Sequence, residues 1–419
     1  MSGATRRRIM PRHHWDWSIP VPLSQGWRVG NLVFVGGQVA LDERGNVVGP
    51  GDIEVQTRAV FEYITQILHE AGAAWKDVVK LDTYYDFSGR GDDLRKYWEK
   101  MTKVRLEFLP NPGPVGTALR VGLAYPGLLI EVDAIAVVDT PNTRRKRIMP
   151  LNHWDWPVAV PLSQGWRVGN LVFVGGQVSQ DERNNIIGPG DIEVQTRTTF
   201  QNITRILREA GADWKDVVKL NTYYDFAGQS GDLLRYWEKI TKVRLEFLSD
   251  PGPVGTAVRT GLATAGLMIE ADAIALVGDG SPGRTRTRIM PQRHWDWSIP
   301  VPLSQGWRVA NLVFVGGQVA LDERGNVIGP GDIEVQTRAV FEYITRILHE
   351  AGAEWKNVVK LNTYYDFEGD GEQLRKYWEK MTKVRLEFLP DPGPVGTAVR
   401  TGLGAAGLMI EVDAIAVVD

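Results

Sequence analysis

From Trp27 the chain reads WRVGNLVFVGGQV, two runs of apolar and β-branched residues on either side of Gly30–Asn31. That pattern predicts a hairpin of two strands. Further on, Val55, Ala59, Phe61, Ile64, Ile67 and Leu68 form the apolar face of a segment that follows Asp52 and stops at Gly72. Such spacing predicts a helix capped by Asp52. VVKLDTYYDF from Val78 reads as a strand, and Leu94, Trp98, Met101, Val104, Leu106 and Phe108 mark a second helix, roughly Asp92 to Phe108, ending before Pro110. GTALRVGLAY from Gly116 and LLIEVDAIAVV from Leu128, separated by Pro126–Gly127, predict two more strands. The order strand, strand, helix, strand, helix, strand, strand points to an α+β layer, with helices on one face of a mixed sheet.

The same pattern then comes round twice more. RIMP begins at Arg8, Arg147 and Arg288, NLVFVGGQV at Asn31, Asn170 and Asn311, and TKVRLEFL at Thr102, Thr241 and Thr382. A period near 140 residues is too long for a solenoid unit, which runs about 20–50 residues, so each copy is a domain. The expected domains are 1–139, 140–278 and 279–419. Short joints rich in Pro, Gly, Ser, Thr and Arg link them. Like domains on short tethers assemble most economically into a closed ring with pseudo-threefold symmetry. The chain is therefore expected to act as a monomer that contains its own trimer.

Composition narrows the chemistry. The 419 residues include no cysteine, which excludes disulfides, thiolate metal sites and cysteine nucleophiles. A net charge of −3 gives no general attraction for nucleic acid or anionic membrane. No apolar run approaches the roughly 20 residues of a membrane span, and the N-terminus lacks the apolar core of a secretory signal. A cytoplasmic protein is expected. GGQ and GPGD do not form a phosphate loop, and Ser24 has no nucleophile-elbow context.

Taken in order, VPLSQGWRVGNLVFVGGQVALD, a helix, DVVKLDTYYDF, PxxxT and LLIEVDAIAVVD resemble the Rid (reactive intermediate deaminase, YjgF-like) family across essentially all of each copy. The resemblance implies three tandem chorismate-mutase-like domains around a central barrel, with ligand clefts at the interfaces. It also implies hydrolysis of enamines or imines to ketones and ammonia, with no metal or other cofactor. The family's acidic residue that helps position the attacking water matches Glu131, Glu270 and Glu411. Strand alternation independently puts Glu131 and Asp133 on one face, a wall of two carboxylates. Such a carboxylate can act as a general base for water or stabilise an iminium, or the pair can be purely structural.

Other family positions depart from the pattern. The arginine that clamps a substrate carboxylate falls at Gly116, Gly255 and Gly396, the serine before Gly-Gln at Gly36, Gly175 and Gly316, and the tyrosine before Ser24 at Leu23. The cysteine gives way to Thr117, Thr256 and Thr397. Substrates derived from simple amino acids become doubtful without the bidentate clamp. Arg120, Arg259 and Arg400 lie on the same strand face, about 13 Å further along, and could replace it for a larger ligand.

HWDW, starting at His14, His153 and His294, lies outside the family pattern. In one reading it lines the site together with Trp27, Trp166 and Trp307, with Tyr84, Tyr223 and Tyr364, and with Tyr85, for a conjugated or aromatic small molecule. In another it is an arm packed against the neighbouring copy. A third has the three histidines meeting on the axis as a metal site. The basic stretches Arg6 to Arg8, Arg144 to Arg147 and Arg284 to Arg288 read as solvated linkers rather than an RNA-binding surface, because aromatics are not interleaved. Three functions stay open: deamination of an enamine- or imine-like intermediate; tautomerisation, ring-opening or hydration of a conjugated metabolite; and metabolite binding without catalysis. The copies differ at Tyr125, Thr264 and Ala405 and at Asp82, Asn221 and Asn362, so the clefts are expected to differ in affinity.

Overall fold

A computed structural model describes residues 5–89, 91–141, 143–228, 230–278 and 286–418. The first repeat runs β1 (Arg6–Ile9), β2 (Gly26–Val29), β3 (Leu32–Val39), α1 (Ile53–Glu70), β4 (Val78–Tyr85), α2 (Asp92–Phe108), β5 (Val115–Arg120) and β6 (Ile130–Val137). Its six-stranded sheet has the order β1-β2-β3-β6-β4-β5. Only β4 and β5 pair in parallel, and α2 provides the crossover this requires. The second and third repeats form the same sheet. The architecture is thus three tandem chorismate-mutase-like α+β units, each with a mixed sheet and two long helices.

The helices form where the apolar spacing places them. Asp52 accepts the N–H groups of Glu54 and Val55 at the start of α1, and Gly72, at φ +69°, ends it. Ile53, Val60, Phe61, Ile64, Ile67 and Leu68 are buried against the sheet. Val55 and Leu106, both assigned to apolar faces, are instead 40% and 54% exposed.

The basic stretches are not solvated linkers. Arg6–Ile9 is an edge strand paired with β2, and its counterparts are Arg145–Ile148 and Arg286–Ile289. Arg284 lies outside the described residues. The Arg6 guanidinium sits over the Trp27 ring and donates to the carbonyls of Val417 and Lys356 in the third repeat. Arg145 over Trp166 reaches Val137 of the first repeat, and Arg286 over Trp307 reaches Val217 of the second. These arginines are interface ties.

The seams close into a ring. Ser24 N–H bonds Pro394 O, Ser163 N–H bonds Pro114 O and Ser304 N–H bonds Pro253 O, so each repeat touches both others. At Gly36 the neighbouring backbone passes so closely that a Cβ would lie 3.1 Å from Gly396 O. Inside the ring, the two-residue period of β4 turns Lys80, Asp82 and Tyr84 toward the axis and Leu81, Thr83 and Tyr85 outward. Lys80 reaches Asp272 at 3.2 Å, Lys219 reaches Asp413 at 3.1 Å and Lys360 reaches Asp133 at 2.9 Å, each pair crossing a seam between residues almost wholly buried. The same carboxylates accept from Thr117, Thr256 and Thr397. Among the described residues, no helix is long and apolar enough to cross a membrane.

Breaking one link strands a buried carboxylate. Lys219→Met is expected to destabilise the chain by about 3–5 kcal/mol in chemical denaturation. Adding Asp413→Asn should recover part of that loss, and a change within about 0.5 kcal/mol for the single variant would contradict the role of the ring.

Candidate functional site

Two interface clefts are well formed. One, of about 370 Å³, lies between the first and second repeats, and another, of about 330 Å³, between the second and third. In the first cleft, one wall comes from the outward face of β4 (Leu81, Thr83), from α2 (Leu94, Trp98, Arg105) and from Gly116, Thr117 and Ala118 of β5. The second repeat supplies Trp154, Trp156, Val160, Leu162 and Glu270. In the second cleft, Trp237, Arg244 and Thr256 face Trp295, Trp297 and Glu411. At the third seam Glu131 reaches the third repeat, while Tyr125 stands at the loop position of Thr264 and Ala405. Its hydroxyl lies 2.6 Å from Ser18 Oγ, tying that loop to the HWDW arm.

The glutamates sit in room that the GGQ motif makes for them. Two residues of β3, Gly36 and Gly37, oppose one residue of β6 in a β-bulge. A side chain on Gly37, Gly176 or Gly317 would overlap the carboxyl of Glu131, Glu270 or Glu411. Across the seam, Glu131 accepts from Ala398 N–H at 3.3 Å and Glu411 from Ala257 N–H at 3.2 Å, and Glu270 faces Ala118 N–H. Burial pushes all three carboxyls up to about 8, and Asp133, Asp272 and Asp413 add to the effect. At neutral pH each Glu carries its proton.

The glutamine of GGQ holds the aromatic arm. Gln38 Oε1 accepts from Trp15 Nε1 at 3.3 Å and its amide donates to Gln25 Oε1, while Gln25 donates to Trp15 O. The second and third repeats keep the same pattern. Trp154 and Trp156 border the first cleft and Trp295 and Trp297 the second, each pair opposite side chains of the preceding repeat.

Several other candidates lie elsewhere. The histidines turn back into their own repeats: His153 and His294 pair with Gln177 and Gln318 at 2.8 and 2.7 Å, and His14 packs on Tyr63. They line neither cleft and do not meet on the axis. Trp27, Trp166 and Trp307 belong to an apolar cluster shared by all three sheets, with their indole N–H groups on the carbonyls of Gly393, Gly113 and Gly252. Tyr84, Tyr223 and Tyr364 are on the axial side of their strands, near the Lys–Asp ring, and Tyr223 reaches Asp272 at 3.2 Å. Arg120, Arg259 and Arg400 surround an axial opening rather than a cleft, because the ends of their strands converge there. Thr117 and Thr256 do border clefts, but their hydroxyls are donated to Asp272 and Asp413; Thr397 donates to Asp133.

The missing clamp has a packing explanation. A Cβ on Gly116 would lie 2.9 Å from Leu162 Cδ1, and Leu303 and Leu23 cover Gly255 and Gly396 in the same way. Sequence reasoning missed Arg105, Arg244 and Arg385, which are 3–4% exposed on the cleft-facing side of the second helix of each repeat. Arg105 donates to Thr83 Oγ1 at 3.0 Å and lies over the Trp98 ring, and burial pulls its guanidinium down to about 10, still charged at neutral pH. The only sequence signal was an arginine recurring in the apolar frame of TKVRLEFL.

This combination of fold and cleft defines a class. The family model described as Endoribonuclease L-PSP matches residues 18–138, 155–277 and 298–418. The chain belongs to that family, which includes the RutC and Rid proteins, and carries it three times over. A RutC family protein of Pyrococcus abyssi is 39% identical over 115 residues, covering 27% of this chain and 85% of its own. The 3-aminoacrylate deaminase RutC of Acinetobacter baylyi is 34% identical over 119 residues, covering 28% of this chain and 87% of its own. A crystal structure of a chorismatase superposes with a TM-score of 0.55 at 13% identity, covering 81% of this chain and 93% of that one, a likeness of fold.

The raised glutamates link stability to pH. An unfolded glutamate titrates near its ordinary value, so between there and about pH 8 the folded chain holds protons that the unfolded chain releases. This contribution is complete below the unfolded value and is lost as pH rises through about 8. The melting temperature is expected to fall between about pH 5 and pH 9. The triple Glu131→Gln, Glu270→Gln, Glu411→Gln variant should show a shallower fall, and an equal slope would contradict the shifted carboxyls.

Proposed function

We propose that the interface clefts hydrolyse an enamine- or imine-like intermediate and release ammonia, with the cleft glutamate acting first as acid and then as base. The observation that carries this reading is a buried carboxyl beside a backbone N–H, in a cleft walled largely by apolar and indole side chains. The RutC relative's named activity supports the same reaction class. In the first cleft the Glu270 proton passes to the imine nitrogen, or to the carbon β to nitrogen in an enamine, leaving an iminium and a carboxylate. That carboxylate takes a proton from water as the water oxygen bonds to the iminium carbon. The proton then returns to nitrogen in the carbinolamine, and as the carbon–nitrogen bond breaks the hydroxyl gives its proton back to the carboxylate, so that a carbonyl compound and ammonia leave and the glutamate is again protonated. The Ala118 N–H beside Glu270 favours the carboxylate formed midway.

The walls suggest the substrate. Trp98, Trp154 and Trp156 offer flat apolar faces, and the position of the family's clamp is filled by leucine, so the substrate is a conjugated or aromatic molecule rather than a small imino acid. The same indole walls favour a second reading, in which the glutamate moves a proton in tautomerisation, ring-opening or hydration of such a molecule. In either case one chain is the working unit.

Ammonia release from imines generated in situ is expected to fall by at least about 100-fold in the triple Glu→Gln variant. The wild-type kcat/KM should hold below about pH 8 and decline above it, as the free enzyme loses the proton it needs. Unchanged turnover in the variant would remove the glutamates from the mechanism. A paired Glu270→Gln, Glu411→Gln variant leaves only the third cleft, and Tyr125→Ala in that background is expected to raise turnover. No gain would show that Tyr125 does not restrict that cleft.

A further inference from the structure

Arg105 is a buried cation without a buried anion. Its Nη2 bonds Thr83 Oγ1 and its plane faces Trp98, but its Nε has no hydrogen-bond partner. The Trp98 indole and the buried Tyr85 ring pack edge to face beside it. Arg244 repeats the pattern, with Thr222 as acceptor, the Trp237 ring 5.1 Å away and Nε free. Among the described residues, no carboxylate is among the groups acting on either arginine. Both arginines line their clefts.

A strut between helix and sheet would not need this charge. A guanidinium has five donors in a planar fork, and a single threonine hydroxyl uses one of them. Keeping such a group out of water without a counter-ion is unfavourable unless something in the cleft supplies the anion. The fork matches a carboxylate in two-point geometry. Its ring partner holds the plane in place, so little side-chain freedom is lost on binding.

We propose that Arg105 in the first cleft and Arg244 in the second anchor a carboxylate on the ligand, received from the helix wall instead of from the glycine position on β5. The anchor names the ligand class of the proposed reaction and rests on that reading for its place in catalysis. The ligand is a monoanion with a planar, largely apolar body that lies between the indoles, its carboxylate at the arginine and its reacting carbon toward Glu270 or Glu411.

Benzoate and benzamide have the same ring and differ in charge, so calorimetric titration of each into the full chain isolates the anchor. Benzoate is expected to bind at least about tenfold more tightly than benzamide, the worth of a charged hydrogen-bonded contact. The preference should persist in the Glu270→Gln, Glu411→Gln variant and disappear in Arg105→Gln, Arg244→Gln. If the arginine variants fail to fold, Nε–H resonances of nitrogen-15 arginine in the wild-type chain provide the second readout: benzoate should shift two of them and benzamide neither. Equal affinities, binding unchanged in a folded arginine variant, no arginine shift or no benzoate binding would each overturn the anchor. Arginine-dependent benzoate binding in a chain that releases no ammonia would uphold the anchor while the deamination reading fails.

Discussion

Lys80, Lys219 and Lys360 sit in the middle of the barrel, each with its ammonium on an aspartate of the next repeat. Burial alone would lower the Lys80 amine, but Asp272 and Asp82 outweigh it and hold the charge in place. Ion pairs of this kind add little net stability over an apolar core and are very sensitive to loss of either partner. What they contribute here is register. Asp272 is two residues from Glu270 on one face of its strand, and Thr117, which donates to Asp272, is next to Ala118, whose N–H faces Glu270. Fixing the lysine pair therefore fixes the glutamate in the cleft.

The ring is not perfectly threefold. The position of Asp82 is asparagine in the other two copies, and Asn221 and Asn362 donate to Asp272 and Asp413. Asp82 is a fourth acid among three lysines, and burial together with Asp133 and Asp272 raises its pKa despite the neighbouring Lys80. At the surface, Tyr125 breaks the symmetry of the clefts. A fused chain can hold such differences because each seam is encoded separately, which a homotrimer cannot do.

The repeats, the order of the elements after the β1 edge strand and the glutamates of the last strand were legible in the sequence because each depends on local period or on motifs within a single copy. What was hidden depends on the seams. Tyr84 and Tyr85 are adjacent aromatics in the chain, yet alternation sends one to the axis and the other to Trp98, and the pattern alone does not say which face is the cleft. Arg6 looked like a solvated charge because Trp27 and the carbonyls it reaches in the third repeat are far away in the chain. Gly116 was readable as a lost clamp, whereas Leu162, which fills its space, comes from the next copy. Nothing in the sequence singled out Arg105, because its burial depends on the wall opposite.

All of these features rest on one chain closing its own ring. Light scattering on the purified protein at working concentration tests this directly. A mass near 46.7 kDa is expected if the three sheets close within a single polypeptide. A mass about three times larger, with the repeats exchanged between chains, would contradict it.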